Sequence, residues 1–231
     1  MIPIRDTQRS QRIPFVNYAL IAACTAALVA ELRAGPEIDA FIDAHALYPG
    51  RFVALAARRG LFDAALYAPL FSSMFLHAGF AHFAGNMLFL WIFGDNVEDR
   101  LGHLGYAAFY LLGGVAAALA HVAADPASLV PTVGASGAIA AVMGAYMLLY
   151  PGAHVQSLVW LGLFVRVVSV PALVWLGIWF VFQIAAGAQS SSVPGQGGVA
   201  WWAHAGGFVF GAATVFLLGL RGARPRGRSP A

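Results

Sequence analysis

The sequence predicts an all-α polytopic membrane protein: a six-transmembrane-helix bundle with a partly membrane-embedded first loop. Composition, apolar run lengths and the placement of arginine carry that prediction. Hydrophobic residues make up 60% of the 231 and charged residues 10%, against roughly 25% charged in soluble domains. A surface so poor in charge must face lipid. A bilayer core of about 30 Å needs roughly 20 apolar residues per helix. Stretches at about 14–31, 69–93, 104–123, 132–150, 169–187 and 200–219 meet that length. Lipid satisfies no backbone amides, so spans must be helices or closed-barrel strands; these long unbroken runs suit helices, not short alternating strands.

The first stretch follows "MIPIRDTQRSQRIP" without an A-x-A-like cleavage site, which predicts a retained span. An even number of spans returns both termini to one side. All thirteen basic residues are arginine, and nine lie at the termini and in the second and fourth loops. The positive-inside rule therefore predicts cytoplasmic termini and outward-facing loops one, three and five. The chain divides into a cytoplasmic N-terminal segment (1–13), a helical domain (14–220) and a basic tail (221–231) suited to anchoring on anionic lipid.

Loop one (32–68) is too long for a simple connector. Its pieces "IDAFIDAHALY" and "RFVALAARRGLFDAALY" predict short interfacial helices. Loop five, "GAQSSSVPGQGG" (187–198), reads as a flexible connector. The single cysteine, Cys24, excludes an internal disulfide. The arginines form no dense patch interleaved with aromatics, which argues against nucleic-acid binding.

Polar residues inside a membrane are costly and invite functional readings. Spans two, four and six run in the same direction and carry such residues near the same outer depth. "LHAGFAHFAGNMLF" gives His77, His82 and Asn86, "GASGA" gives Ser136, and "WWAHAGGFVFG" gives His204. Taken singly, each has a plainer role. A serine between glycines packs helices, a membrane histidine or asparagine bonds between them, and His77 and His103 are solvated loop ends. Taken together, they offer a nucleophile, a base and amide donors at one level.

That set suits acyl transfer. A serine hydroxyl becomes nucleophilic when an imidazole can take its proton, and His204 is the candidate base. No Asp or Glu lies nearby, so the expectation is a dyad. Oxyanion donors could come from the amides opening span four, from Asn86 and from His82. Ala138 replaces the second glycine of G-x-S-x-G, and H-E-x-x-H is absent. The histidines lack carboxylate partners, so neither a metal site nor a cofactor is expected. Gly207 and Gly211 form G-x-x-x-G on span six, while Gly137, Ala141 and Gly144 keep one side of span four small. Close approach there would bring Ser136 to His204.

Across nearly the whole chain these features resemble the rhomboid family of intramembrane serine proteases, bacterial type. The resemblance rests on His77, His82 and Asn86, on "GDNVEDRLG", on "GASGAIAAVMGAY", on "LGLFVRVVSVPALVWLGIWF" and on "AHAGGFVFG". It implies Ser136 as nucleophile, His204 as general base, and His82, Asn86 and the Ser136 amide as oxyanion donors. It implies that Glu98 and Arg100 brace the cytoplasmic end of span two. It also implies substrate access between spans two and five, with loop five as cap. Partners would be lipids and the transmembrane helices of single-pass proteins, in a bacterial cytoplasmic membrane. The pattern departs at Ala140, where some relatives carry a tyrosine stacked on the catalytic histidine. Trp201 or Trp202 is then the candidate to orient His204. A Trp-Arg dipeptide carried by some relatives in loop one is also absent.

Two other functions fit less well. A catalytically inactive rhomboid-like protein that binds transmembrane helices would not need the full set of Ser136, His204, His82 and Asn86. A transporter would be expected to show an internal repeat or midplane charges, which the sequence lacks.

Overall fold

A computed structural model describes residues 1–61, 63–162, 164–190 and 199–220. The chain is mostly helical, with one small sheet. The order is β1 (Ile2–Asp6), α1 (Phe15–Ala34), α2 (Ile38–His45), α3 (Pro49–Arg59), α4 (Ala68–Ser72), α5 (Phe80–Leu101), α6 (His103–Ala124) and α7 (Ser136–Leu149). Then come β2 (His154–Leu161), β3 (Phe164–Pro171), α8 (Ala172–Ser190) and α9 (Trp201–Leu217).

Each predicted apolar stretch overlaps one helix of 14 to 22 residues, but the ends differ. Among the described residues, Phe15–His45, α6 and α8 are long and apolar enough to cross a bilayer. A fourth span is reached if Ala64–Phe75 and Phe80–Leu101, bent by 87°, count as one. The helices α7 and α9 are shorter, at 14 and 17 residues. The second stretch breaks before Phe80 and runs on to Leu101, past the predicted limit of 93. The loop-one pieces form the short helices α2 and α3 and a 3-10 turn at Ala64–Leu66, while α4 falls within the predicted second stretch. Of the predicted loop-five connector, α8 takes residues up to Ser190, while 191–198 and the tail 221–231 lie outside the described residues.

The expectation of an all-α chain is corrected by an antiparallel three-stranded sheet in the order β1-β2-β3. Residues 154–171 are rich in valine, a strand former, and turn at Gly162, whose φ of +62° favours glycine. A segment leaving the helical bundle must still pair its amides, and these strands do so with each other and with the N-terminus. The expected start of span five at 169 moves to Ala172 for the same reason.

The connections define two ends of the bundle. At one end, β1 pairs with β2, so the N-terminus lies beside the α7–α8 connection. Glu98 joins that end: its carboxylate accepts from the amides of Val16 (2.9 Å) and Asn17 (2.7 Å) and meets His103 Nδ1 at 2.6 Å. It thus caps the first turn of α1. Among the described residues no ion pair joins Glu98 to Arg100. Asp6 accepts from Asn96 Nδ2 (3.0 Å) and from the Tyr146 hydroxyl, linking β1 to α5 and α7. At the other end, Leu47 pairs with Thr132, and the Gly50 amide donates to Ser128, tying loop one to the α6–α7 connection.

The core is organised around α7. Every residue from Gly137 to Tyr146 is buried, so α7 is walled by protein rather than by lipid. Packing against α9 is backbone to backbone. A Cβ built on Gly211 would lie 1.8 Å from the Ala141 carbonyl oxygen, and one on Gly144 would lie 2.1 Å from that of Phe208. No side chain fits at these crossings, which explains the small-residue faces read from the sequence.

Candidate active site

The site lies at the end of the bundle opposite the sheet, where α7 and α9 begin. Ser136 is the first residue of α7, because residues 132–135, the start of the predicted stretch, are not helical. Its position in the first turn leaves backbone amides without intrahelical acceptors. The chain reaches it through Gly134, whose φ of +126° is one that side-chain-bearing residues rarely adopt. The Gly134 amide donates to the Ser73 carbonyl at 2.8 Å, which pins the approach to Ser136.

His204 is the fourth residue of α9 and is 8% exposed. Its Nε2 lies 2.8 Å from Ser136 Oγ. Its Nδ1 lies 2.7 Å from Oε1 of Gln183 on α8. The predicted nucleophile and base are thus in hydrogen-bond contact, 68 residues apart in sequence.

His82 and Asn86 line the other side of the approach. They sit one turn apart on α5, and both face Gly134. A methyl built there would lie 2.7 Å from His82 Cε1, 2.9 Å from its Nε2 and 3.6 Å from Asn86 Nδ2. Asn86 is buried, and its Nδ2 has no partner among the described residues. The amide of Ala78 donates to His82 Nδ1 at 3.4 Å. With Nδ1 accepting, the neutral ring carries its proton on Nε2, the nitrogen that faces Gly134. Two donors therefore converge beside the first amides of α7.

His77 stands behind this group. It is buried, its amide donates to Glu31 Oε1 at 2.7 Å, and its ring meets that of His82 edge-on at 5.4 Å. The expectation of a solvated loop-end residue is corrected for His77. His103 is in part tied down as well, through Glu98.

Aromatic support for His204 comes from two directions. Trp179 on α8 lies 5.9 Å from its ring at a 35° tilt, and Trp201 meets it edge-on at 6.3 Å. Trp202, the other candidate, packs toward Gly187. Sequence reading missed Trp179 and Gln183. The signal was present as a glutamine, one turn after a tryptophan, in the apolar run "ALVWLGIWFVFQIAAG".

A partly buried serine–imidazole contact beside unpartnered donors can transfer an acyl group. The family profile of the Rhomboid domain matches residues 65–221. "Rhomboid protein 1, mitochondrial" of Saccharomyces cerevisiae is 30% identical over 146 residues, covering 62% of this chain and 39% of that protein. "Rhomboid protease GluP" of Bacillus subtilis is 30% identical over 151 residues, covering 65% of this chain and 26% of that protein. "Rhomboid-like protein 11, chloroplastic" of Arabidopsis thaliana is 41% identical over 68 residues, or 29% of this chain and 24% of that protein. Each match spans well under half of the relative's own length. The profile includes α5, α7, α8 and α9, the helices that carry the site, and the chain belongs to the rhomboid family as an integral multi-pass membrane protein.

Proposed function

We propose that the protein is an intramembrane serine endopeptidase that cuts transmembrane segments of single-pass proteins near the outer membrane face. The observation that carries this reading is the 2.8 Å contact between Ser136 Oγ and His204 Nε2 at the partly buried head of α7. In the reaction, Oγ attacks the scissile carbonyl while its proton passes to His204 Nε2. The oxyanion receives hydrogen bonds from the Ser136 amide, Asn86 Nδ2 and His82 Nε2. His204 then returns the proton to the leaving amine, and water hydrolyses the acyl-enzyme by the same steps. No cofactor or metal enters the scheme.

Depth supports the same reading. At 1.5 Å per residue, 14 residues of α7 measure about 21 Å, against a core of about 30 Å. With its far end at the sheet side, its serine end stops below the opposite surface. Six spans, on the apolar run lengths, cytoplasmic termini, on the arginine distribution, and a bacterial cytoplasmic membrane, on the family resemblance, complete the proposal. The domain limits proposed are 1–13, 14–220 and 221–231.

The test is cleavage of a single-pass reporter in liposomes by wild type, Ser136→Ala and His204→Ala. Cleavage by wild type alone supports the proposal. Equal cleavage by all three removes the dyad, and a folded wild type that binds the reporter without cutting it is a helix-binding relative.

A further inference from the structure

We propose that Gln183 is the positioning residue of the base: its side-chain carbonyl holds His204 in the tautomer that can accept the serine proton. It acts from α8, so the dyad is aligned only while α8 is seated. This deepens the proposed function and rests on it.

Gln183 is 4% exposed, in a helix segment of otherwise apolar character. Burying an amide is costly unless it finds partners, and Gln183 Oε1 finds His204 Nδ1 at 2.7 Å. A carbonyl oxygen can only accept, so Nδ1 must hold the ring proton. A neutral imidazole has one such proton, which leaves the lone pair of Nε2 facing Ser136 Oγ at 2.8 Å. In the opposite tautomer, Nε2 would present a proton to the serine and could not remove one. When Nε2 takes the serine proton, the ring becomes cationic, and its Nδ1–H still donates to the same carbonyl dipole. A neutral amide thus does the orienting that a carboxylate does in a triad, without placing a charge at this depth.

Its position on α8 has a consequence. That helix is held to the bundle along one side. Trp175 Nε1 donates to Ser157 Oγ at 2.9 Å, and Phe180 stacks on Phe208 at 4.6 Å. Trp179 leans on His204 one turn before Gln183. Leu173, Ile178 and Val181 on the same helix are exposed. Displacement of α8 would withdraw the carbonyl and the Trp179 ring together, leaving the His204 tautomer unspecified.

The experiment compares wild type, Gln183→Met and Gln183→Glu as full chains in detergent micelles. Methionine keeps length without the acceptor; glutamate keeps an oxygen there. Three quantities are read: kcat and KM for reporter cleavage, the rate of serine labelling by a fluorophosphonate, and the 15N shifts of His204 in histidine-labelled protein. In wild type, Nδ1 is expected protonated and Nε2 not. Gln183→Met is expected to lose on the order of 10²-fold in kcat and labelling rate, with KM little changed and the two nitrogens averaged. Gln183→Glu is expected to retain the Nδ1–H signal and to label faster than Gln183→Met. Wild-type kcat, labelling and shifts in Gln183→Met overturn the inference. So does a wild-type spectrum with the proton on Nε2, which needs no variant to fold. A wild type with the expected spectrum that neither labels nor cleaves overturns the protease reading instead.

Discussion

A methyl group built on Gly207 would sit 2.1 Å from the carbonyl oxygen of Gly137. Gly137 follows the serine and Gly207 comes three residues after His204, so the α7 and α9 backbones touch at the level of the dyad. Gly207→Ala must push the helices apart. Overpacking of this kind costs about 1–3 kcal/mol, and here it also lengthens the contact between Ser136 and His204. The expected result is a lower thermal midpoint and a labelling rate reduced further than stability alone explains. Wild-type values for both would show that the close approach does not set the dyad.

Asn86 Nδ2 is a buried donor with no partner among the described residues, as expected of a group reserved for a charge that forms only in the reaction. Loss of one oxyanion donor costs about 10²–10³ in kcat. Asn86→Ala is expected to show that loss with KM little changed. Steady-state kinetics checks it; a change confined to KM would assign Asn86 to substrate binding.

Glu98 is 1% exposed and serves two amides of α1 and the His103 ring. Glu98→Ala strands those donors, at about 1–3 kcal/mol for each buried unsatisfied group. Thermal unfolding in detergent should show a clear loss, smaller in Glu98→Gln, which keeps one acceptor. Arg100→Ala should have little effect, because among the described residues it has no ion pair with Glu98.

Burial pushes the Asp6 carboxyl up to about 7, opposed by the Tyr146 hydroxyl and assisted by the charge of Asp95. Its value in the unfolded chain is near 4. Between those values the folded protein binds the extra proton, so the stability Asp6 contributes is greatest below about pH 4 and is lost as pH rises through about 7. Wild-type stability relative to Asp6→Asn is expected to fall across that window and to level off above it. Denaturation at several pH values measures the difference, and a flat or rising difference contradicts the assignment.

Long apolar runs made the helices legible, because each needs only local composition to be recognised. The sheet was not. β1 is five residues long and finds its partner more than 140 residues away, between α7 and α8. Ser136, His204, His82 and Asn86 could be grouped from their predicted depth, and the structure sets Ser136 against His204 and places His82 and Asn86 beside Gly134. Gln183 was not legible, because its value comes from α8 turning that residue onto His204, a rotation that an apolar stretch does not specify. Ala140 correctly signalled that support for His204 must come from elsewhere. Trp201 was one of the two tryptophans expected to supply it. Trp179 and Gln183, on a different helix, supply the rest.

The central claim is that Ser136, activated by His204, is the nucleophile. Its most direct test is active-site titration: folded protein in liposomes receives increasing fluorophosphonate, the adduct is mapped by mass spectrometry, and reporter cleavage is measured on the same samples. The adduct is expected on Ser136, with cleavage falling in proportion to the labelled fraction and labelling nearly abolished in His204→Ala. Undiminished cleavage by fully labelled protein, or an adduct on another serine that tracks the loss of activity, would contradict it.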